Sequence, residues 1–256
     1  MWFVMPWYEG ETLEERIKRE PLTRKEALQI FLPLAQALAT MHAAGIRHQD
    51  IKPDNIFLAR LGDEDSEESQ RILPVLIDLG VAAKEAEMIV AGTPLYFAPE
   101  IAAQYAGSSE RPAVTHKADV FSLALSLRNA LEPATQEQVP GTAVEAFIAH
   151  RAAVPPALPE DKSLRYLSPH FARWLAREAK HRPTARELCE ELSILTEPER
   201  RKQRRRSVLR WAAPIVLGSM LGLSSVTYCY LQKRAEAAPA TQRADDTESQ
   251  LGSESE

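Results

Sequence analysis

The chain has 256 residues, of which 45% are hydrophobic and 26% are charged, as is typical of a globular protein with enough apolar residues for one sizeable core. Its formal net charge of -5 indicates no particular class of partner. Its two cysteines, Cys189 and Cys229, are too distant in sequence to predict a disulfide framework or a metal site. The first six residues carry no positive charge, so we expect no secretory signal peptide.

An apolar segment at the start of the chain is followed by two predicted helices. Residues 1–8 are apolar and aromatic, and we expect them to be the end of a buried strand whose sheet partners are missing. A short helix is predicted from Thr12 to about Lys18. Residues 24–44 carry apolar side chains at helical spacing, which predicts a long helix that Gly45 ends.

Short strands and further helices follow along the chain. Residues 46–58 predict a loop that enters a short strand, and residues 73–77 predict a second strand after an acidic, solvated loop. Proline-rich stretches separate four more helical patterns, at about 117–131, 142–152, 168–178 and 184–195. Residues 1–195 therefore predict a mainly helical α+β domain with a few short strands.

An uncharged segment, residues 211–231, follows a basic segment, residues 196–210. About 21 residues at 1.5 Å each span roughly 30 Å, the thickness of the hydrocarbon core, so residues 211–231 predict one transmembrane helix. A buried core helix is the alternative. More basic residues lie before this segment than after it, so the positive-inside rule places residues 1–210 in the cytoplasm, at the cell membrane. Residues 232–256 predict a short disordered tail.

The basic segment and two glycines of the uncharged segment predict partners. A basic run beside a spanning helix is expected to contact anionic membrane lipid, and we expect no binding of nucleic acid. Gly218 and Gly222 lie four residues apart and therefore on one helix face, which predicts a homodimer through close packing of two helices. The plainer explanation of this pair is that glycine is common in such helices.

Three spaced motifs carry the chemistry. Residues 48–55 read His-Gln-Asp-Ile-Lys-Pro-Asp-Asn, residues 78–80 read Asp-Leu-Gly, and residues 98–100 read Ala-Pro-Glu, after Gly-Thr-Pro at 92–94. In this order and spacing they resemble the catalytic loop, metal-binding motif and substrate loop of the eukaryotic-type serine/threonine protein kinase superfamily, in its membrane-anchored bacterial style. The resemblance covers residues 1–195. It implies the mainly helical C-terminal lobe of a protein kinase, followed by one transmembrane helix.

The resemblance implies an enzyme that transfers the γ-phosphate of ATP to protein Ser or Thr hydroxyls with the help of Mg²⁺. Asp50 would orient the substrate hydroxyl, and Lys52 would offset the growing negative charge on the phosphate. Asn55 and Asp78 would supply oxygen ligands to Mg²⁺, a hard ion that prefers oxygen. Thr93 would bridge the catalytic aspartate and lysine, and together with the Lys-Pro pair of the first motif it favours Ser/Thr over Tyr substrates.

The same resemblance assigns nucleotide-binding and structural residues. Residues 2–8 would be the strand and hinge that receive adenine, with Met5 as the gatekeeper and with Pro6 and Tyr8 contacting the ring through backbone groups. Phe57 would form the floor under adenine, although core packing explains this residue equally well. The residues expected to be structural are the buried ion pair Glu100 and Arg182, and Asp119 as the anchor of the catalytic-loop backbone.

Two departures from the family pattern are visible in the sequence. Gln49 replaces the usual arginine beside the catalytic aspartate, and a glutamine cannot make a charge-assisted bond to a phosphate. The loop from Asp78 to Glu100 offers Thr93 as its only hydroxyl besides Tyr96. We therefore expect no switching by phosphorylation of this loop.

The second departure concerns the segments that precede the hinge in the family. The sequence contains no glycine-rich loop, strand lysine or helix glutamate before its first motif, so we expect the N-terminal lobe to be missing. We favour a truncated sequence whose reading frame begins further upstream, and a natural remnant is the alternative. As given, the chain is expected to bind ATP poorly and to transfer little phosphate. The intact catalytic and metal-binding residues favour chemistry. The alternative is a catalytically inactive pseudokinase or docking module at the inner membrane face.

Overall fold

A computed structural model of the chain describes residues 7–61, 71–79, 83–84, 92–107, 112–137 and 143–196. Within these ranges no helix is both long and apolar enough to cross a membrane. The basic segment beyond residue 196, the transmembrane helix at 211–231 and the tail at 232–256 lie outside the described residues, so these three remain predictions.

Helix α1 (Leu13–Arg19) begins at a capping box. The Thr12 hydroxyl accepts a hydrogen bond from the Glu15 N–H at 3.2 Å, and the Glu15 carboxylate accepts one from the Thr12 N–H at 2.8 Å. Strand β1 (Gly10–Thr12) leads directly into this box. The predicted short helix is confirmed.

Helix α2 (Arg24–Ala43) is the long helix that the apolar spacing predicts. It begins at a second capping box, between Thr23 and Glu26, and contains Pro33. Its apolar face is buried, and it packs against the strands and the central helix of the domain. Gly45, at a φ of 72°, ends the helix, because glycine adopts this left-handed conformation without the steric cost of a side chain.

Two small antiparallel sheets carry the loops of the candidate site. The strands are β2 (Ile46–Arg47), β3 (Ile56–Leu61), β4 (Arg71–Leu76) and β5 (Ala83–Lys84). In one sheet β3 lies between β1 and β4, and in the other β2 pairs with β5. Strand β3 begins directly after residues 48–55 and pairs with β4, which ends directly before residues 77–79, so this sheet brings the two loops together.

The remaining α-helices of the described residues are α3 (Pro99–Tyr105), α4 (Lys117–Leu131), α5 (Val144–Ala153), α6 (Ser168–Trp174) and α7 (185–196). Helix α4 forms the centre of the domain. All of its residues from Ala118 to Leu131 are buried, and α2 and α6 pack against it. A helix that is apolar on most sides is stable only when other elements surround it.

The structure corrects two expectations about these elements and adds one helix that the sequence did not predict. Residues 7 and 8 are not in a buried strand: Trp7 is 92% exposed, and the first strand begins at Gly10. Helix α6 ends at Trp174 rather than near residue 178. Beyond this end, Arg177 donates a hydrogen bond to the Ala152 carbonyl at 3.1 Å, which ties the chain to α5. Helix α3 was not predicted, because its seven residues are too few to show helical periodicity.

Candidate active site

The Asp50 carboxylate is the centre of a hydrogen-bonded cluster in the loop between β2 and β3. Its Oδ1 accepts a hydrogen bond from the Thr93 hydroxyl at 2.9 Å. Its Oδ2 accepts one from the Asn55 amide at 2.9 Å and lies 3.2 Å from the Lys52 ammonium. Lys52 also donates to the Thr93 hydroxyl at 2.9 Å. The structure thus brings together an acid, a cation and two neutral polar groups from two separate motifs.

The Asn55 side chain is oriented for a role as a neutral oxygen ligand. Its amide nitrogen donates to the Asp50 carbonyl at 2.8 Å and to the Asp50 carboxylate, so the nitrogen makes both bonds to the catalytic loop. The amide oxygen is then the atom suited to a hard cation such as Mg²⁺. Asn55 is buried in a 3₁₀ turn, Pro53–Asn55, which fixes this orientation.

Asp78 lies beside Asn55 because the ends of their strands are bonded to each other. The Ile77 N–H donates to the Asn55 carbonyl at 2.9 Å, directly before Asp78. The Asp78 side chain is exposed, so its carboxylate can reach a ligand at the surface. No group of three or more His, Cys, Asp or Glu side chains with metal-binding geometry occurs among the described residues. Two oxygen ligands suit Mg²⁺, which keeps water and phosphate oxygens as its other ligands.

Two residues of the site have left-handed backbone conformations. Gln49 has a φ of 70° and Asp78 a φ of 61°, and they are the non-glycine residues with positive φ in the described part of the chain. Such conformations carry a steric cost and are concentrated at functional sites. Gln49 lies directly before Asp50, the predicted catalytic aspartate, and Asp78 is a predicted metal ligand, so the surrounding contacts must hold the backbone of both loops.

Asp119, near the start of α4, holds the backbone of the catalytic loop. Its buried carboxylate accepts hydrogen bonds from the His48 N–H at 2.9 Å and the Gln49 N–H at 2.8 Å. The His42 ring nitrogen Nε2 lies 3.0 Å from the same carboxylate. These bonds stabilise the strained conformation of Gln49 and therefore fix the position of the next residue, Asp50.

His48 is fully buried beside this anchor. Burial holds the pKa of its ring below the ordinary value of 6.5, because the charged ring would lose its hydration. A neutral, inaccessible ring is consistent with a structural rather than a catalytic role for His48.

Gly92 is a site residue whose importance sequence reasoning missed. Its φ is 123°, and a side-chain carbon placed there would lie 2.6 Å from the Gln49 carbonyl and 3.6 Å from the Asp50 carboxylate. The substrate loop can approach the catalytic loop this closely only because residue 92 has no side chain. The Gly-Thr-Pro sequence before the third motif was the available signal.

Glu100 and Arg182 form a buried ion pair between α3 and the turn before α7. Arg182 also donates to the Lys117 carbonyl at 2.8 Å, and Lys117 donates to the Arg182 carbonyl at 2.9 Å. The end of the substrate loop is therefore tied to the start of α4 and to the late helices. A buried pair of this kind is costly to break, because the remaining charge would have no counter-ion.

The structure describes only part of the expected adenine site. Met5 and Pro6 lie outside the described residues. Tyr8 is 36% exposed, outside any strand. Phe57 is half-buried on β3, opposite Val75. The nucleotide contacts of these four residues remain predictions.

Comparisons with known proteins agree with this geometry. The profile of the protein kinase domain matches residues 1–193. The chain is 34% identical over 198 residues to "Serine/threonine-protein kinase PknK" of Mycobacterium tuberculosis (strain ATCC 25618 / H37Rv), an alignment that covers 74% of this chain and 16% of that protein. It is 29% identical over 202 residues to "Serine/threonine-protein kinase pkn2" of Myxococcus xanthus, with 74% and 23% covered.

A third relative extends the pattern. "Serine/threonine-protein kinase PknH" of Mycobacterium tuberculosis (strain ATCC 25618 / H37Rv) is 30% identical over 173 residues, with 62% of this chain and 25% of that protein covered. The chain thus spans no more than about a quarter of the length of these three relatives. The family profile covers more than half of the chain, including every motif of the site. The chain belongs to the protein kinase domain family.

Proposed function

We propose that this chain is the catalytic part of a serine/threonine protein kinase, which transfers the γ-phosphate of ATP to Ser or Thr hydroxyls of proteins. The observation that carries the proposal is the cluster of Asp50, Lys52 and Thr93, whose polar atoms lie 2.9–3.2 Å apart. A substrate hydroxyl must be oriented by an acceptor while a nearby cation offsets charge on the phosphate, and this cluster supplies both groups.

Each residue of the cluster has a separate task in the proposed reaction. The Asp50 carboxylate accepts a hydrogen bond from the substrate hydroxyl and directs that oxygen toward the phosphorus atom. The Lys52 ammonium stabilises the negative charge that builds up on the transferred phosphate oxygens. Thr93 fixes the distance between the two, because its hydroxyl donates to Asp50 and accepts from Lys52.

Asn55 and Asp78 are the residues that would hold Mg²⁺, which supplies charge neutralisation to the phosphates when it is bound. The fit rests on the chemistry of the two side chains: one amide oxygen and one exposed carboxylate, on neighbouring loops joined by the bond from Ile77 to Asn55. Hard oxygen donors of this kind select Mg²⁺ over softer metals.

The choice of Ser/Thr substrates is supported by the site and by the relatives. Thr93 and Lys52 are bonded to each other at 2.9 Å, which places the substrate loop against the catalytic loop, as in the Ser/Thr-selective members that the motif resembles. PknK, pkn2 and PknH carry the name serine/threonine-protein kinase. We propose the same substrate class for this chain.

The direct test is phosphate transfer from γ-labelled ATP to a mixture of Ser-, Thr- and Tyr-containing peptides. The chain is assayed alone and fused to an N-terminal kinase lobe that carries a glycine-rich loop and a strand lysine, because kinases hold the α- and β-phosphates with groups that precede the hinge. We expect Mg²⁺-dependent label on Ser and Thr, which Asp78→Asn abolishes. Absence of transfer in both forms would overturn the proposal and favour a docking module.

We also propose that residues 211–231 anchor the protein in the cell membrane with the kinase domain in the cytoplasm. The support is the absence of charge from this segment and the excess of basic residues before it. Pairing of two chains through Gly218 and Gly222 would hold two kinase domains close together. Release of the protein from membranes by high salt or carbonate would exclude a spanning segment.

A further inference from the structure

A second buried arginine contacts the substrate loop, residues 92–100, at a position between the Gly-Thr-Pro sequence and the Ala-Pro-Glu motif. Arg151, on α5, is 1% exposed. Its Nη2 donates to the Leu95 carbonyl at 3.3 Å and also pairs with the Glu137 carboxylate. Leu95 lies two residues after Thr93, so Arg151 contacts the loop close to the hydroxyl that joins the catalytic aspartate and lysine.

One aromatic ring links this arginine to the ion pair at the end of the same loop. The Phe121 ring centre lies 5.8 Å from the Arg151 guanidinium and 5.3 Å from the Arg182 guanidinium. Arg182 pairs with Glu100, where the substrate loop ends. Two buried cations beside one ring of the central helix therefore contact the loop at its middle and at its end.

The hydrogen bonds around the middle of the loop show what Arg151 supports. The Ser122 hydroxyl of α4 donates to the Tyr96 carbonyl at 2.8 Å. The N–H groups of Tyr96 and Phe97 donate within the loop, to the carbonyls of Thr93 at 2.9 Å and Pro94 at 3.2 Å. The loop is thus a tight turn that α4 holds at residue 96 and α5 holds at residue 95.

A buried arginine is a costly way to hold a carbonyl. The Nε and Nη1 atoms of Arg151 find no hydrogen-bond partner among the residues that the structure describes. Burial lowers the pKa of Arg151 from its ordinary value, which shows the cost of keeping this charge from water. Buried ion pairs can often be replaced by apolar residues of similar volume without loss of stability. Stability alone therefore does not require a charge at residue 151, whereas the bond to the loop carbonyl does require a donor.

We propose that Arg151 is a positioning residue for phosphate transfer, which anchors the substrate loop through the Leu95 carbonyl with Glu137 as its counter-ion. This inference rests on the proposed kinase function for its effect on catalysis. Loss of the anchor lets the loop and Thr93 shift, so the peptide substrate meets a less ordered surface while Asp50 and Lys52 keep their own loop contacts. The side chain of Glu137 is 28% exposed, so this counter-ion can be changed without creating a large cavity.

The test compares Arg151→Met and Glu137→Gln with the control Arg173→Met. Methionine keeps the length of the arginine stem without its charge, and the control residue Arg173, on α6, pairs with Glu191 of α7. Amide hydrogen exchange is measured at Tyr96 and Phe97, and at His48 and Gln49 as internal references. We expect Arg151→Met to speed exchange at the first pair about tenfold or more, with little change at the references, since a bond to a charged donor is lost.

Exchange at Tyr96 and Phe97 within about twofold of the parent would overturn the proposal, as would an equal rise at the reference amides, which reports general destabilisation. If Arg151→Met does not fold, Glu137→Gln decides: unchanged exchange at Tyr96 and Phe97 contradicts the anchor. This readout needs no enzyme activity, so it separates failure of the anchor from failure of the kinase proposal. With an active kinase, Arg151→Met should raise KM for the peptide and leave KM for ATP unchanged.

Discussion

Replacement of Asp119 with asparagine tests how the catalytic loop is held. Both oxygens of Asp119 accept backbone N–H groups, from His48 at 2.9 Å and Gln49 at 2.8 Å. Asparagine has nearly the same shape but turns one of these oxygens into an NH₂ group. One of the two backbone N–H groups then faces a donor instead of an acceptor. The left-handed backbone of Gln49, with a φ of 70°, loses part of its support.

The size of the effect follows from these contacts. A hydrogen bond to a charged group contributes about 1.5–3 kcal/mol, and a buried N–H left without an acceptor costs about 1–3 kcal/mol. We therefore expect Asp119→Asn to lower the free energy of unfolding by about 3–5 kcal/mol. Turnover of the protein that remains folded should fall as well, because Asp50 directly follows the released residue.

Urea unfolding measures the first effect, and turnover per folded molecule measures the second. Asp161→Asn is the matched control, because the Asp161 carboxylate also accepts a backbone N–H, from Ser163 at 2.7 Å, but lies at the surface. The control should lose no more than about 1 kcal/mol, as for an ordinary helix cap. Equal loss of stability in the two variants, with normal turnover, would refute the anchoring role of Asp119.

Three further predictions follow from the structure and the sequence. Gly92→Ala should reduce turnover by more than about tenfold, because its methyl group would lie 2.6 Å from the Gln49 carbonyl, while circular dichroism should show that the variant is folded. Normal turnover would contradict the close approach of the two loops. Burial lowers the pKa of His48 below 6.5, so near and below that pH the unfolded state binds a proton that the folded state does not bind. The free energy of unfolding should therefore fall as the pH falls, and His48→Leu should flatten this pH dependence in urea melts. Gly218→Ile with Gly222→Ile should abolish the signal of a membrane reporter of helix dimerisation that carries residues 207–233, while insertion stays normal.

Much of the fold could be predicted because the signals were local. The helix at Arg24–Ala43 has apolar periodicity, a capping box and a terminating glycine, and all three agree. The end of α6 could not be predicted, since it depends on the bond from Arg177 to Ala152, a partner 25 residues away. The exposed Trp7 shows the limit of composition, because this aromatic residue lies within the predicted buried strand and yet is exposed.

The same distinction between local signals and long-range contacts applies to the candidate site. The resemblance of the first motif to the kinase catalytic loop implied that Asp50, Lys52 and Asn55 act together, and the structure shows them bonded together. Arg151 carried no sequence signal, because its contact to Leu95 joins residues 56 positions apart and matches no motif. A buried arginine with a specific partner is visible only once the helices are packed.

The role of Asp50 as the residue that orients the substrate hydroxyl is tested most directly by turnover of Asp50→Asn against Asp54→Asn. Asp54 is the matched control, because it is an exposed aspartate four residues away in the same motif. In the active form of the protein, with Mg²⁺ and saturating ATP, we expect Asp50→Asn to lose nearly all phosphate transfer and Asp54→Asn to stay within about twofold of the parent. Equal transfer by the parent and Asp50→Asn would contradict the proposed catalytic site.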